Sequence, residues 1–240
     1  MSEAPAAPSR YWAAFERRGD DLFRFDTRIY GDAVDRPRRG DRPLGCVIGK
    51  NPGSALPLCW QENALLPIAL GNDRFLPTVR SVVHKAYAAN GLLWPHDGYV
   101  QVFNLFYLCN RDLRQARNRL AQLRESPRCP AERRRQPWAW FVWGGADPLL
   151  DPLKARFRRR AWRAAFFVSS DSASVTCRAP RTLEHARHTQ GMQLAAPVAQ
   201  LATLVTAQIG GTGRTASPHP SPIRRARGAV RYLTSAKQWI

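Results

Sequence analysis

Residues 44–55 read LGCVIGKNPGSA, and the architecture of the chain turns on them. The apolar run Leu44, Cys46, Val47, Ile48 stops at Gly49-Lys50-Asn51-Pro52-Gly53. A short apolar segment closed by glycine, asparagine and proline has the pattern of a buried strand ending in a tight turn. Such a turn sets a cation, an amide side chain and backbone N–H groups at the carboxyl end of the strand. Ligands of open α/β sheets bind outside those ends.

Working outward, residues 99–103 (YVQVF) form a second strand, closed by Asn104-Leu105-Phe106. Residues 138–143 (WAWFVW) form a third, apolar throughout as befits a parallel strand buried on both faces, and end in Gly144-Gly145. Residues 164–169 (AAFFVS) form a fourth. Between them lie helical patterns. In 76–90, Pro77 suits the first turn, Val79, Val82, Val83 and Ala86 make an apolar stripe, and Gly91 stops the helix. Residues 111–124 and 149–162 read as basic helices, and 194–209 as a helix weakened by Pro197. This alternation predicts an α/β fold, a three-layer α/β/α sandwich around a central, mainly parallel sheet of about four strands. Residues 1–9 are expected to be a disordered tail, and 10–240 a single domain in which 171–216 is a poorly defined insertion. Residues 10–18 show helical spacing through Tyr11 and Phe15, and 54–73 read as a loop or short-helix excursion covering the turn.

The 240 residues carry a formal net charge of +19. Residues 1–110 hold 13 Lys+Arg against 11 Asp+Glu, whereas 111–240 hold 24 against 7. That asymmetry points to an anionic partner, most simply nucleic acid. Only four basic residues are lysine, so arginine-rich codon usage is the competing explanation. No apolar run approaches the roughly 20 residues that span a bilayer. The five cysteines are scattered and never form C-x-x-C, which favours reduced thiols in the cytoplasm and no zinc site.

Two strand ends carry asparagine, Asn51 and Asn104, and a third carries Gly144-Gly145. Strand-end amides are poor bases but orient a water or read the edge of an amide-bearing ligand. The alternative is that each caps a turn. His219, in SPHPSP (217–222), is flanked by prolines that restrict its backbone, unless the segment is simply a Pro-rich tail. His84, His96, His185 and His188 have no ligand-spaced partners, and no phosphate-loop signature is present.

The set GKNPG (49–53), VQVFNL (100–105), FVWG (141–144) and HPSP (219–222), with Arg227-Gly228 following, resembles the uracil-DNA glycosylase superfamily. The first part of the chain is also similar to an uncharacterised bacterial family with the pattern N-P-S-x-A, P-T-[IV]-R, N-L-F and W-G. Here those are Asn51 to Ala55, Pro77-Thr78-Val79-Arg80, Asn104-Leu105-Phe106 and Trp143-Gly144. The glycosylase resemblance implies removal of uracil or another damaged base from DNA without a cofactor; no metal site and no membrane span are expected, and the protein is expected to be a monomer. It implies that Asn51 positions the attacking water and His219 donates a hydrogen bond to the leaving base. Asn104 would read the base, with Gly49 beside it and Trp60 stacking on it. Ile223, with Arg224 and Arg225, would be the wedge in the base stack. Backbone groups near Gly53 and Ser221, with Lys50 and Arg227, would hold the DNA. Position 51 is Asn where the family's strong water-activating residue is Asp. The turn therefore argues for recognition more firmly than for catalysis, and a non-catalytic nucleic-acid- or nucleotide-binding protein of the same fold is the alternative.

Overall fold

The computed structural model describes residues 7–62, 64–170 and 173–212. Thirteen strands and helices follow in the order β1 (Ser9–Arg18), β2 (Asp21–Val34), β3 (Arg42–Gly49), β4 (Leu56–Pro57), β5 (Leu65–Ala69), α1 (Phe75–Ala88), β6 (Gly98–Asn104), α2 (Leu113–Gln122), β7 (Ala139–Phe141), α3 (Asp151–Arg158), β8 (Ala165–Val168), β9 (Val175–Thr176) and α4 (Ala195–Thr212).

Among the described residues the strands make one nine-stranded mixed sheet in the order β4-β5-β1-β2-β6-β3-β7-β8-β9. This overturns the expected four-stranded, mainly parallel sheet. Five pairings are antiparallel and three are parallel. The strands expected from residues 44–48, 99–103, 138–143 and 164–169 are present and mutually parallel, but they are one part of a larger sheet. An antiparallel β1–β2 hairpin and the β4–β5 pair extend it on one side, and β9 on the other.

The missed strands have physical explanations. Tyr11 and Phe15 are four residues apart, a spacing that puts two side chains on one side of a helix and equally of a strand. β1 lies between β2 and β5. Trp12, Ala13 and Phe15 are buried, which removes the apolar–polar alternation that marks a strand. β2 is hidden differently, because Arg24, Thr27 and Arg28 are polar yet buried within it. Its register against β1 slips between Trp12 and Ala14, and there Asp26 takes a φ of 43°. A bulge of this kind lets Asp26 turn back on Arg28, which donates to its carboxylate at 2.8 and 3.2 Å. The 54–73 excursion contributes β4 and β5, the expected 1–9 tail falls outside the described residues as far as residue 6, and Ser9 already begins β1. β9 and α4 fall within 171–216.

Side chains alternate across the sheet into two cores. Val47, Val100, Val102, Trp140, Val142, Phe166 and Val168 face α1 and α4. Cys46, Ile48, Phe103, Ala139, Phe141, Trp143 and Phe167 face α2 and α3. β3 sits between β6 and β7, with Val47 opposite both Val102 and Trp140. The turn after β3 therefore emerges at the centre of the parallel strands, carried on a fully packed strand.

Candidate functional site

A cavity of about 910 Å³ opens where β3 ends. Its walls come from the 49–54 turn, residues 71–75 at the start of α1, Arg111 ahead of α2, and residues 188–191. Gly49, Lys50, Asn51 and Gly53, all expected from the sequence to belong to a site, line it together.

Gly49 ↔ Asn104 is the last register pair of β3 and β6. Asn104 is 1% exposed, and its Nδ2 has no hydrogen-bond partner among the described residues. A Cβ on Gly49 would lie 3.0 Å from Asn104 Oδ1 and 3.5 Å from Phe75 Cζ. The absent side chain thus brings three features to one point: the bare backbone of the turn, a buried amide and the edge of an aromatic ring. Burying an amide donor unpaired costs about 1–3 kcal/mol. Asn104 is not itself among the residues lining the cavity; it stands behind Gly49, with Oδ1 toward that residue.

Asn51 donates from Nδ2 to the Asn110 carbonyl at 3.0 Å, which fixes its amide and leaves Oδ1 as an acceptor. Asp73 Oδ1 accepts from the N–H groups of Phe75 (2.8 Å) and Leu76 (3.3 Å), capping α1. Its Oδ2 lies 4.0 Å from Nη1 of the buried Arg24. His188 stacks on Phe75 with centroids 5.4 Å apart. Its Nδ1 accepts from Gln190 N–H at 3.2 Å, so in the neutral ring the proton sits on Nε2. Burial, reinforced by the Lys50 ammonium and opposed by Asp73, holds the His188 pKa below the ordinary histidine value. Burial likewise lowers the Lys50 pKa, with Asp147 opposing and Lys154 and Arg117 reinforcing the shift. Gly144 turns with a φ of 84°, and a Cβ there would stand 3.2 Å from Lys50 Nζ. The lysine therefore packs over a position that favours glycine twice over.

His188 reaches the site on a strap, residues 182–191, laid across the ends of β7 and β8. Ala186 exchanges backbone bonds with Gly144 at 2.8 and 3.1 Å, and Arg187 N–H donates to Val168 O at 2.9 Å. The fully buried Lys154 ties the strap down, donating to Gly145 O (2.7 Å), Asp151 Oδ1 (2.7 Å) and Thr182 O (3.1 Å).

Trp60 does not line this cavity but a separate one with Arg17 and Arg134, and the aromatic residue that lines this cavity is Phe75. His219, Ser221, Ile223, Arg224, Arg225 and Arg227 lie outside the described residues. The sequence reading missed Asp73, Phe75, Arg111 and His188. Spacing could not find His188, because its neighbours come from other parts of the chain. Asp73 could have been found, since Asp three residues before an apolar helical stripe is a capping signal. Among the described residues no group of three His, Cys, Asp or Glu side chains is arranged to hold a metal, and no helix is long and apolar enough to cross a membrane. Comparison with known proteins adds no relative: no family model, curated protein or solved structure matches the chain.

Proposed function

We propose that the protein recognises a nucleobase in this cavity and acts on DNA as a uracil-DNA glycosylase does, removing uracil or another damaged base by hydrolysis of its N-glycosidic bond. The observation that carries the reading is the buried, unpartnered amide of Asn104 meeting Gly49 and Phe75 at the end of β6. A carboxamide offers a donor beside an acceptor, the complement of the N3–H and carbonyl edge of uracil. The Phe75 ring supplies an apolar wall for a base taken out of its stack.

The remaining groups suit the chemistry. Breaking the bond between C1′ and the base leaves the electron pair on the base; water adds its oxygen to C1′, and the proton it gives up neutralises the departing base. The fixed Asn51 amide can orient that water through Oδ1. His188, neutral with its proton on Nε2, and the Lys50 ammonium can donate to the oxygen on which the base's negative charge collects. The cationic chain supplies sequence-independent attraction to phosphates.

Recognition without hydrolysis is the second reading. It is favoured by the amide at position 51 and by the commitment of Asp73, the carboxylate lining this cavity, to capping α1 beside Arg24. Incubation with uracil-containing duplex and single-stranded oligonucleotides, followed by alkaline cleavage of abasic sites, separates the two. Cleavage that Asn51→Ala and Asn104→Leu abolish is expected from the first. Tight binding of the base without cleavage identifies the second, and failure to bind either oligonucleotide refutes both.

A further inference from the structure

Residues 54–62 connect two cavities. Ser54 lines the one described above, whereas Trp60 and Glu62 line a second of about 580 Å³. The segment is the outer edge of the sheet. β4 pairs with β5 alone, and Leu58 N–H continues the pairing to Pro67 O at 2.9 Å. Its large side chains are spaced by two and unusually bare: Leu56 is 51%, Leu58 61% and Trp60 43% exposed. Leu56 lies in β4, and the chain bends at Leu58 and Cys59 before it reaches Trp60.

Trp60 is not simply a stray surface aromatic. The Arg17 guanidinium lies over its ring, 5.4 Å from the centroid, and the residue is still 43% exposed. Arg18, Arg128 and Arg134 share the rim with Glu16, Asp26 and Glu62; Glu16 is paired with Arg18, and Asp26 with Arg28. Arg134 is engaged with Tyr99 Oη at 3.3 Å and Asp26 at 3.9 Å. Arg17 and Arg128 enter none of the ion pairs among the described residues. A partly exposed aromatic ring beside two guanidinium groups that stand outside the ion pairs is an arrangement that binds unpaired nucleotides, whose bases stack and whose phosphates pair with arginine.

We propose that this second cavity is a subsite for an unpaired stretch of nucleic acid. One base stacks on Trp60, and the phosphates beside it pair with Arg17 and Arg128. The inference rests on the nucleobase reading of the first cavity, because six residues of extended chain, at most about 20 Å, link Ser54 to Trp60. A single strand would then place one nucleotide at Asn104 and another, a short distance along, on Trp60. The apolar stripe of Leu56 and Leu58 lies between them along the segment and can shelter the intervening base faces.

The test uses the full chain and a fluorescein-labelled thymidine 12-mer, followed by anisotropy at salt high enough to suppress binding through phosphates alone. Base–aromatic stacking is worth about 1–3 kcal/mol, so Trp60→Ala is expected to weaken binding by about tenfold, and Trp60→Phe to restore most of it. Arg17→Ala should reduce the salt dependence. Free uridine, measured by equilibrium dialysis, should bind Trp60→Ala as it binds wild type, because Trp60 does not line the first cavity. An oligonucleotide affinity within twofold of wild type for Trp60→Ala overturns the subsite. Uridine binding that Asn104→Leu leaves intact overturns the nucleobase reading instead. If Trp60→Ala impairs capture of an apolar strand peptide but not of the 12-mer, the edge is a protein-docking surface and the proposal fails.

Discussion

Asn104 is an apolar-sized space filled by a polar group. It is buried with an unpartnered Nδ2 on a sheet face whose neighbours include Val100 and Val102. On the proposed reading that cost is kept for binding and not for folding, and the two can be separated. Asn104→Leu keeps the branching at Cγ and removes the orphan donor, so stability should rise by roughly 1 kcal/mol while ligand binding is lost. A urea titration beside a uridine binding curve checks this, and a destabilised variant would mean that the amide supports the fold. His188 makes a second residue-scale prediction. Its folded pKa lies below the 6.5 of an ordinary histidine. Between those two values the unfolded chain binds more protons than the folded one. Stability is therefore complete above about pH 6.5, falls as the pH drops below it, and levels off once the folded ring is protonated. His188→Gln should shrink that acid-side loss, measured as the urea midpoint from pH 7.5 to 4.5. Parallel curves would show that the ring titrates normally. Asn51 and Asn104 were legible in the sequence because strand-end position is a local property. His188 was not, because its chemistry comes from Phe75, Lys50 and Asp73, each distant along the chain.

At the scale of elements, what the sequence disclosed depended on whether each element's pattern differed from its surroundings. α1 was readable because its stripe of Val79, Val82, Val83 and Ala86 faces the core while Thr78, Arg80 and His84 remain more accessible. The four parallel strands were readable as short apolar runs. β1 and β2 were not, since burial on both faces erased alternation in one and buried arginines broke it in the other. The strap at 182–191 had no signal at all, because its order comes from backbone bonds to Gly144 and Val168 that any sequence could make. Those bonds are nevertheless what hold His188 at the cavity. Ala186→Pro removes the N–H that donates to Gly144 O. Because Ala186 is buried, the unpaired carbonyl and the ring's bulk should cost about 1–3 kcal/mol. Amide exchange should accelerate in 185–191 while β3 and β6 stay protected. If protection is lost evenly across the sheet, the strap belongs to the core and does not move as a separate unit.

At the scale of the molecule, the charge and the site ask to be connected. The first cavity is lined by Lys50, Arg74 and Arg111 against Asp73 alone, so it is cationic, but a free base would sense little of the chain's total charge. A strand of DNA would sense nearly all of it. Residues 213–240 add Arg214, Arg224, Arg225, Arg227, Arg231 and Lys237 with no acidic residue, and they include His219. Two contributions can therefore be told apart by comparing the full chain with a chain ending at Thr212. Each phosphate neutralised on a duplex steepens the dependence of log K on log salt by about 0.9. If all six cations meet phosphates, the shorter chain should show a slope shallower by about five and a lower affinity for any duplex, with or without uracil. Binding of free uridine should be equal in the two, because the cavity is built from residues that both contain. If truncation abolishes base excision yet leaves uridine binding intact, 213–240 supply chemistry as well as charge, and His219 is the residue to substitute next. An unchanged salt slope would mean that the cations of 213–240 do not face DNA, and the excess of arginine there would then reflect composition alone.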